Sequence, residues 1–138
     1  MDERRLIREG IVSEVNGELM TARVNFEDRD GLVSSELAIL SRGASSVCGD
    51  YWLPSVGDTA VCLMAANAEE SGEGWILGTR WTEPDPPTKS GGRRICFEDG
   101  TLIEYDEGKL NVTAANDISI SAAGNVYISG AQIHLNME

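Results

Sequence analysis

The C-terminal part of the chain repeats a short pattern with a period of eight residues. Leu-Asn-Val at 110–112 is followed by Ile-Ser-Ile at 118–120 and Val-Tyr-Ile at 126–128, and Ile-His-Leu at 133–135 arrives one residue early. Each copy places two apolar residues around one residue of more polar type, and small or polar residues separate the copies. This alternation predicts four short strands, each with its apolar side chains on one face.

Four strands of this length cannot enclose a core within one chain. An eight-residue coil is too short to form every side of a β-solenoid, and short strands need neighbours that cover their apolar face. The repeat therefore favours three chains wound together, each forming one side of a triangular layer, with the small residues at the corners. The predicted trimer core consists of Leu110, Val112, Ile118, Ile120, Val126, Ile128, Ile133 and Leu135.

The alternative for the same residues is a four-strand meander packed against the rest of the chain. Residues 110–137 carry one formal charge, on Asp117, and this low charge fits a tightly wound shaft or a packed edge. Turns between strands of four residues do not usually keep a fixed period. The regular spacing therefore favours interwound chains over the meander.

The first 82 residues contain about five predicted strands separated by turn signals. Five short strands are typical of a small closed or partly closed barrel, and no segment has the sustained helical period of an α/β sheet. The strands are expected near 11–15, 19–26, 32–40, 59–65 and 74–78.

Local signals add detail to this first part. Residues 2–9 are predicted to form one or two helical turns that end at Gly10. Asn16-Gly17 predicts a two-residue hairpin turn. Residues 41–50 are predicted to be a loop.

The chain is expected to divide into three parts. Residues 1–82 form the barrel domain, 83–94 a linker rich in Pro and Gly, and 95–138 a hairpin followed by the repeats. Glu-Pro-Asp-Pro-Pro-Thr at 83–88 fits neither a helix nor a central strand, because proline lacks the amide hydrogen that both need. Asp99-Gly100 predicts the turn of the hairpin.

The charge of the chain limits its partners. Among 138 residues, 23 are Asp or Glu and 11 are Lys or Arg, which gives a formal net charge of −12. This balance disfavours nucleic acid and anionic membrane surfaces, because both require a cationic face. Hydrophobic residues make up 41%, which is enough for a packed core. The sequence has no apolar run of transmembrane length and no secretion signal, so we expect synthesis in a cytoplasm.

Catalytic chemistry has little support in the sequence. The chain has one histidine, His134, and no serine lies in a G-x-S-x-G motif. The acidic pairs Glu69-Glu70 and Asp28/Asp30 are expected to be solvated surface residues rather than a glycosidase pair. We therefore expect no enzymatic activity and no cofactor.

The cysteines indicate neither a zinc site nor a redox motif. They are odd in number, far apart and without C-x-x-C spacing, and we expect them to be reduced thiols. They are Cys48, Cys62 and Cys96.

Five stretches, taken in order along the chain, resemble a known family. They are 6–12, 52–58, 74–78, 97–105 and the repeats that begin at Leu110. Together they resemble the phage baseplate assembly protein V family, which forms the central spike of Mu-like contractile tails. Spikes of tailocins and of type VI secretion are related to this family.

The resemblance implies an OB-fold barrel followed by a short trimeric, interwound β-helix. The barrel would be the collar that seats on the tail tube and the baseplate hub, and the helix would be the spike that first contacts the target cell envelope. The implied function is mechanical: plugging the tube, nucleating the baseplate and piercing. The implied location is a virion or tailocin particle assembled in the bacterial cytoplasm.

The sequence departs from this family in two respects. Some relatives hold an axial metal with a His-x-His pair, whereas His134 stands alone between Ile133 and Leu135. We therefore expect no metal, although three copies of His134 meeting on the axis are the alternative. Four stacked strands at ~4.8 Å give a shaft of roughly 20 Å, shorter than a bilayer core of ~30 Å. A separate small tip protein is therefore expected beyond Met137-Glu138.

Two other functions compete with the phage spike. One is an OB-fold binding module that stacks bases or sugars on Tyr51, Trp52, Trp75 and Trp81. The negative charge disfavours it, and it leaves the repeats unexplained. The other is a truncated type VI secretion spike, which differs in its context rather than in its mechanism.

Overall fold

A computed structural model describes residues 6–26, 32–46, 49–65, 73–82 and 93–136. The chain forms two units, Met1–Pro86 and Pro87–Glu138. The described residues form strands and turns and no helix, so the all-β prediction is confirmed.

Among the described residues, eight strands lie in the first unit and three in the second. The first unit contains β1 (Ile7–Asn16), β2 (Thr21–Phe26), β3 (Leu32–Val33), β4 (Leu37–Ile39), β5 (Gly43–Ala44), β6 (Gly49–Asp50), β7 (Thr59–Met64) and β8 (Gly74–Arg80). The second unit contains β9 (Arg93–Cys96), β10 (Leu102–Asp106) and β11 (Lys109–Thr113).

Five strands of the first unit close into a barrel. Their order is β1-β7-β8-β4-β2, and β1 also pairs with β2. β1 closes the ring because its first half, Ile7 to Ile11, pairs with β7, and its second half, from Ile11 to Asn16, pairs with β2. The neighbours are antiparallel except β4 and β8, which are parallel. The predicted barrel is confirmed, and its strand order fits an OB fold.

Alternating side chains from these strands fill the barrel. On β2 the buried residues are Ala22, Val24 and Phe26, which are the residues that the period-two pattern places on one face. Trp52 packs against the same core from the segment before β7. The full core is Val12, Ala22, Val24, Phe26, Leu37, Ile39, Ala60, Cys62, Met64 and Ile76.

Gly10 allows β1 and β2 to approach closely. A Cβ atom at this position would lie 2.5 Å from Val24 Cγ1 and 2.6 Å from the Asn25 carbonyl oxygen. Such distances are too short for any side chain, so a larger residue would force the backbone of the two strands apart. The position is buried within β1.

The structure corrects two predictions for the N-terminal part. Residues 7–9 belong to β1 rather than to a helical turn, because β7 supplies backbone partners for them. Asn16-Gly17 does not form a two-residue turn, since Asn16 pairs with Thr21 and the loop contains four residues. The Asn16 carboxamide oxygen accepts hydrogen bonds from the amides of Glu18 and Leu19, and Met20 is the residue with positive φ.

Two further elements differ from the expected strands and loops. The segment expected as one strand over 32–40 forms β3 and β4, separated by three residues. The expected loop over 41–50 contains the short hairpin of β5 and β6. Residues 83–92 of the predicted linker lie outside the described residues, as do Cys48, Glu69-Glu70 and Asp28/Asp30.

The second unit contains an antiparallel sheet of three strands with β10 at its centre. The turn between β9 and β10 contains Asp99 and Gly100 as predicted, and Gly100 has a φ of 96°. The amide of Thr101 donates to Asp99 Oδ1 at 3.0 Å, and this bond lowers the pKa of Asp99. Glu107 and Gly108 join β10 to β11 with φ values of 48° and 83°, as a type I′ turn requires.

No helix in the described part of the chain is long and apolar enough to cross a membrane.

A single methyl group at position 10 should weaken the barrel. We expect Gly10→Ala to lower the free energy of unfolding by about 1–3 kcal/mol, because overpacking displaces neighbouring atoms. Urea unfolding measures the change. The control is Gly43→Ala, since a Cβ at Gly43 meets nothing within 4 Å. Equal unfolding midpoints for the two variants would contradict the close approach of β1 and β2.

The two described cysteines should differ in reactivity. Burial in the barrel raises the pKa of the Cys62 thiol to about 12, whereas Cys96 is exposed. Because the thiolate is the reactive form, iodoacetamide at pH 8 should label Cys96 much faster than Cys62. Peptide mass spectrometry measures both rates, and denaturant should remove the difference. Equal rates in the folded protein would contradict a buried Cys62.

Candidate interaction surfaces

The eight predicted core residues do not form a core within one chain. Leu110 and Val112 lie on β11, and the other six lie in the segment 114–136, to which no strand is assigned. All eight side chains are exposed, by 52% to 74%. The described residues of the second unit therefore do not cover these side chains.

The backbone of this segment also lacks backbone partners among the described residues. Between residues 114 and 136 no amide or carbonyl forms a hydrogen bond with the backbone of another described residue. The amide of Ala115 donates to the hydroxyl of Thr101 at 3.2 Å. A strand is defined by paired neighbours, and the described part of one chain provides none for the later three repeats. Both the backbone and the apolar side chains are therefore free to contact other chains.

Two glycines lie between the repeats. Neither Gly124 nor Gly130 has a positive φ. The small residues at these positions are therefore not required by backbone conformation. His134, the candidate axial ligand, is exposed in the last repeat.

The three-stranded sheet has an apolar face that the repeat did not indicate. Ile103 on β10 lies opposite Ile95 on one side and Val112 on the other, and Tyr105 lies opposite Leu110. We call these five residues the neck face. Ile95, Ile103 and Tyr105 are absent from the predicted core, although the alternation of 102–106 was a signal for two of them.

The opposite face of the sheet carries most of its polar residues, together with Leu102 and Cys96. Glu104 lies opposite Arg94 and Asn111, and Arg94 Nε is 3.5 Å from Glu104 Oε2. The Glu104 side chain is only 14% exposed, whereas the side chains of the neck face are exposed by 39% to 67%. Within one chain the polar face is thus better covered than the apolar face.

The barrel carries a second exposed apolar surface. Ile7, Leu63 and Trp75 lie directly opposite one another on β1, β7 and β8. Leu77 follows in the bulge of β8, and the amide of Leu40 donates to the carbonyl of Ile76 beside it. We call Ile7, Leu40, Leu63, Trp75 and Leu77 the outer band, and these residues are exposed by 38% to 62%.

Charged pairs lie around the outer band and on the barrel surface. Arg80 Nη2 donates to Glu9 Oε2 at 3.0 Å, and this interaction lowers the pKa of Glu9 and raises that of Arg80. Arg23 and Glu14 form a further ion pair at 3.5 Å on β2 and β1. The outer band is thus an apolar area on a barrel surface that also carries paired charged residues.

The four aromatic residues that would stack bases or sugars in an OB-fold binding module lie in different environments. The indole nitrogen of Trp52 donates to the Leu40 carbonyl at 2.8 Å, and its ring packs on the core. Trp75 belongs to the outer band, while Tyr51 and Trp81 are exposed. Because the core uses Trp52, this residue is not available as a stacking surface.

A closed barrel followed by unpartnered apolar repeats is typical of a protein that assembles with other chains. No protein-family model matches the chain. The chain is similar to the spike protein of Escherichia phage P2, with 28% identity over 127 residues. The match covers 89% of this chain and 57% of the phage protein, so the chain spans just over half the length of that relative. This similarity supports a relationship with phage tail spikes.

Proposed function

We propose that the chain is a non-enzymatic structural spike of a contractile injection particle, of the baseplate assembly protein V type. The observation that carries this proposal is the segment 114–136, whose backbone forms no hydrogen bond with the backbone of another described residue and whose apolar side chains are exposed. The similarity to the P2 spike protein supports the same role and a location in the virion.

The partner of the repeats is two further copies of the same chain. Burying one aliphatic side chain contributes about 1.5–3 kcal/mol, and each copy offers eight such side chains. Strands from neighbouring copies also supply the missing backbone hydrogen bonds. The low charge of the segment permits this contact, since a chain with a net charge of −12 repels its copies elsewhere.

The barrel acts as the collar in this proposal. It is closed, so it folds without strands from other chains, and it offers its side surfaces to the tail tube and hub. The outer band supports a protein contact of this kind, because exposed apolar residues on adjacent strands are typical of interaction sites. The collar plugs the tube and the interwound shaft transmits force to the target cell envelope.

The particle is assembled in the bacterial cytoplasm and contacts the envelope transiently, when the tail contracts.

A charge inside the shaft should break the trimer. Ile120 is exposed in the single chain and lies in the second repeat. We expect Ile120→Asp to convert a species of about 45 kDa, which is three chains of 14.9 kDa, into monomers. Three buried carboxylates without partners cost several kcal/mol each. Light scattering with size exclusion measures the mass.

The control for this variant is Ser119→Asp. By alternation Ser119 lies on the other side of the same strand, where a carboxylate stays in water. It should leave the mass unchanged. If Ile120→Asp also kept the wild-type mass, Ile120 would not face a shared core.

Removing the indole from the outer band should weaken binding to the hub. We expect Trp75→Ser to lower affinity for the tail hub protein of the same genome by about 2 kcal/mol, or roughly 30-fold, as for other central Trp contacts. Calorimetric titration measures Kd. The matched control is Tyr51→Ser, an exposed aromatic residue outside the band. Equal affinities for the two variants would exclude the outer band as the hub contact.

A further inference from the structure

We infer that Asn16 is a site of spontaneous deamidation in the folded protein, where its carboxamide is converted to a carboxylate. The sequence contains one Asn-Gly pair, Asn16-Gly17, and the barrel places it where β1 enters the loop to β2. This inference concerns the barrel and does not depend on the proposed trimer or on the proposed function.

The reaction needs water as its only co-reactant. The backbone nitrogen of Gly17 loses its proton to water and attacks Cγ of Asn16. The carboxamide nitrogen takes up a proton and leaves as ammonia, which gives a succinimide ring. Water then opens the ring. Cleavage of the bond between the Gly17 nitrogen and Cγ gives aspartate, and cleavage of the bond to the backbone carbonyl carbon gives isoaspartate.

The attacking nitrogen is accessible. Gly17 is exposed, and its amide donates no hydrogen bond to the backbone of another described residue. Glycine has no Cβ to obstruct the approach of its nitrogen to Cγ. Asn16 is the last residue of β1, so rotation about its Cα–C bond moves the loop and leaves the earlier residues of the strand paired.

The carboxamide oxygen of Asn16 is already bound by two donors. The amides of Glu18 and Leu19 donate to Oδ1 at 3.1 and 3.2 Å. Attack at Cγ places negative charge on this same oxygen in the tetrahedral intermediate. Backbone donors aimed at an oxygen that becomes negative stabilise the transition states of acyl transfer. The loop therefore assists the attack of the Gly17 nitrogen.

Asn25 lacks all of these features. It lies inside β2 and is followed by Phe26, whose backbone nitrogen belongs to the same strand. Its carboxamide oxygen is buried and has no hydrogen-bond partner in the structure. Asn25 is therefore an internal reference for the rate at Asn16.

The aspartate product keeps the loop in place. A carboxylate at position 16 accepts the same two amide hydrogen bonds, and charge-assisted bonds are stronger than neutral ones. Asn and Asp are also similarly effective as capping residues. Isoaspartate instead adds a methylene to the backbone, next to a glycine whose Cβ, if it had one, would lie 3.3 Å from Leu53 Cδ1.

The test ages the full chain in neutral buffer and follows each asparagine by peptide mass spectrometry. Isoaspartyl methyltransferase detects the isoaspartate, and hydroxylamine cleaves the chain at the succinimide. We expect the rate at Asn16 to exceed that at Asn25 by about tenfold or more, a factor that corresponds to about 1.4 kcal/mol in activation free energy.

The matched variant is Gly17→Ala, which should slow deamidation at Asn16 by a similar factor because a Cβ hinders the attack. The loop accommodates alanine, since Gly17 does not have a positive φ and the new Cβ meets only the end of the Leu53 side chain. A second variant, Asn16→Asp, has the product at this position. It should unfold at the urea concentration of wild type or at a higher one.

Deamidation at Asn16 in the folded protein, slowed in Gly17→Ala, would establish the site. An Asn16 that stays intact in the folded protein and deamidates only in urea would overturn the inference, because the loop would then hold the carboxamide out of reach of the Gly17 nitrogen. An equal rate in Gly17→Ala would also overturn it. A lower urea midpoint for Asn16→Asp would contradict retention of the loop by the product. The mass of the assembly enters none of these outcomes.

Discussion

The second unit depends on one constraint: a strand needs partners on its edges and on its apolar face. In the segment 114–136 the single chain supplies neither, since its backbone forms no hydrogen bonds with the described backbone and its apolar side chains are exposed. Water can satisfy the hydrogen bonds of that backbone, but each exposed apolar side chain raises the free energy of the single chain in water. Assembly with identical copies removes both deficits at once, because one neighbour brings paired backbone and apolar cover together.

The barrel solves the same problem within one chain. Its ten-residue β1 pairs with β7 along its first half and with β2 along its second, so that the sheet closes and has no long free edge. The close approach at Gly10 brings β1 and β2 together, and the buried side chains fill the interior. The barrel therefore buries its apolar side chains within one chain, whereas the repeats leave theirs exposed.

Patterns of period two predicted the parts of the fold that depend on local alternation. Ala22, Val24 and Phe26 are buried as their spacing indicates, and Leu110 and Val112 share one face of β11. The position of Ile103 on one apolar face with Ile95 and Val112 was not predicted, because that face becomes evident only when β10 is aligned between β9 and β11. Pairing across a sheet is non-local, and the sequence does not state it directly.

Local signals misled where tertiary pairing decided the structure. Residues 7–9 resemble a helical turn in composition, but they pair with β7 and form the first part of β1. Asn16-Gly17 is a strong turn signal, but the Asn16 side chain caps a longer loop and the left-handed residue is Met20. The repeats raise the opposite difficulty, since their pattern is clear but the described residues of one chain provide no partners for it.

The solution mass of the wild-type protein tests the central claim most directly. Light scattering with size exclusion should give about 45 kDa, three chains of 14.9 kDa, and this species should resist moderate denaturant because its chains are interwound. A monomer of 14.9 kDa at the same concentrations would contradict the account, since the exposed repeats would then be stable in water without partners.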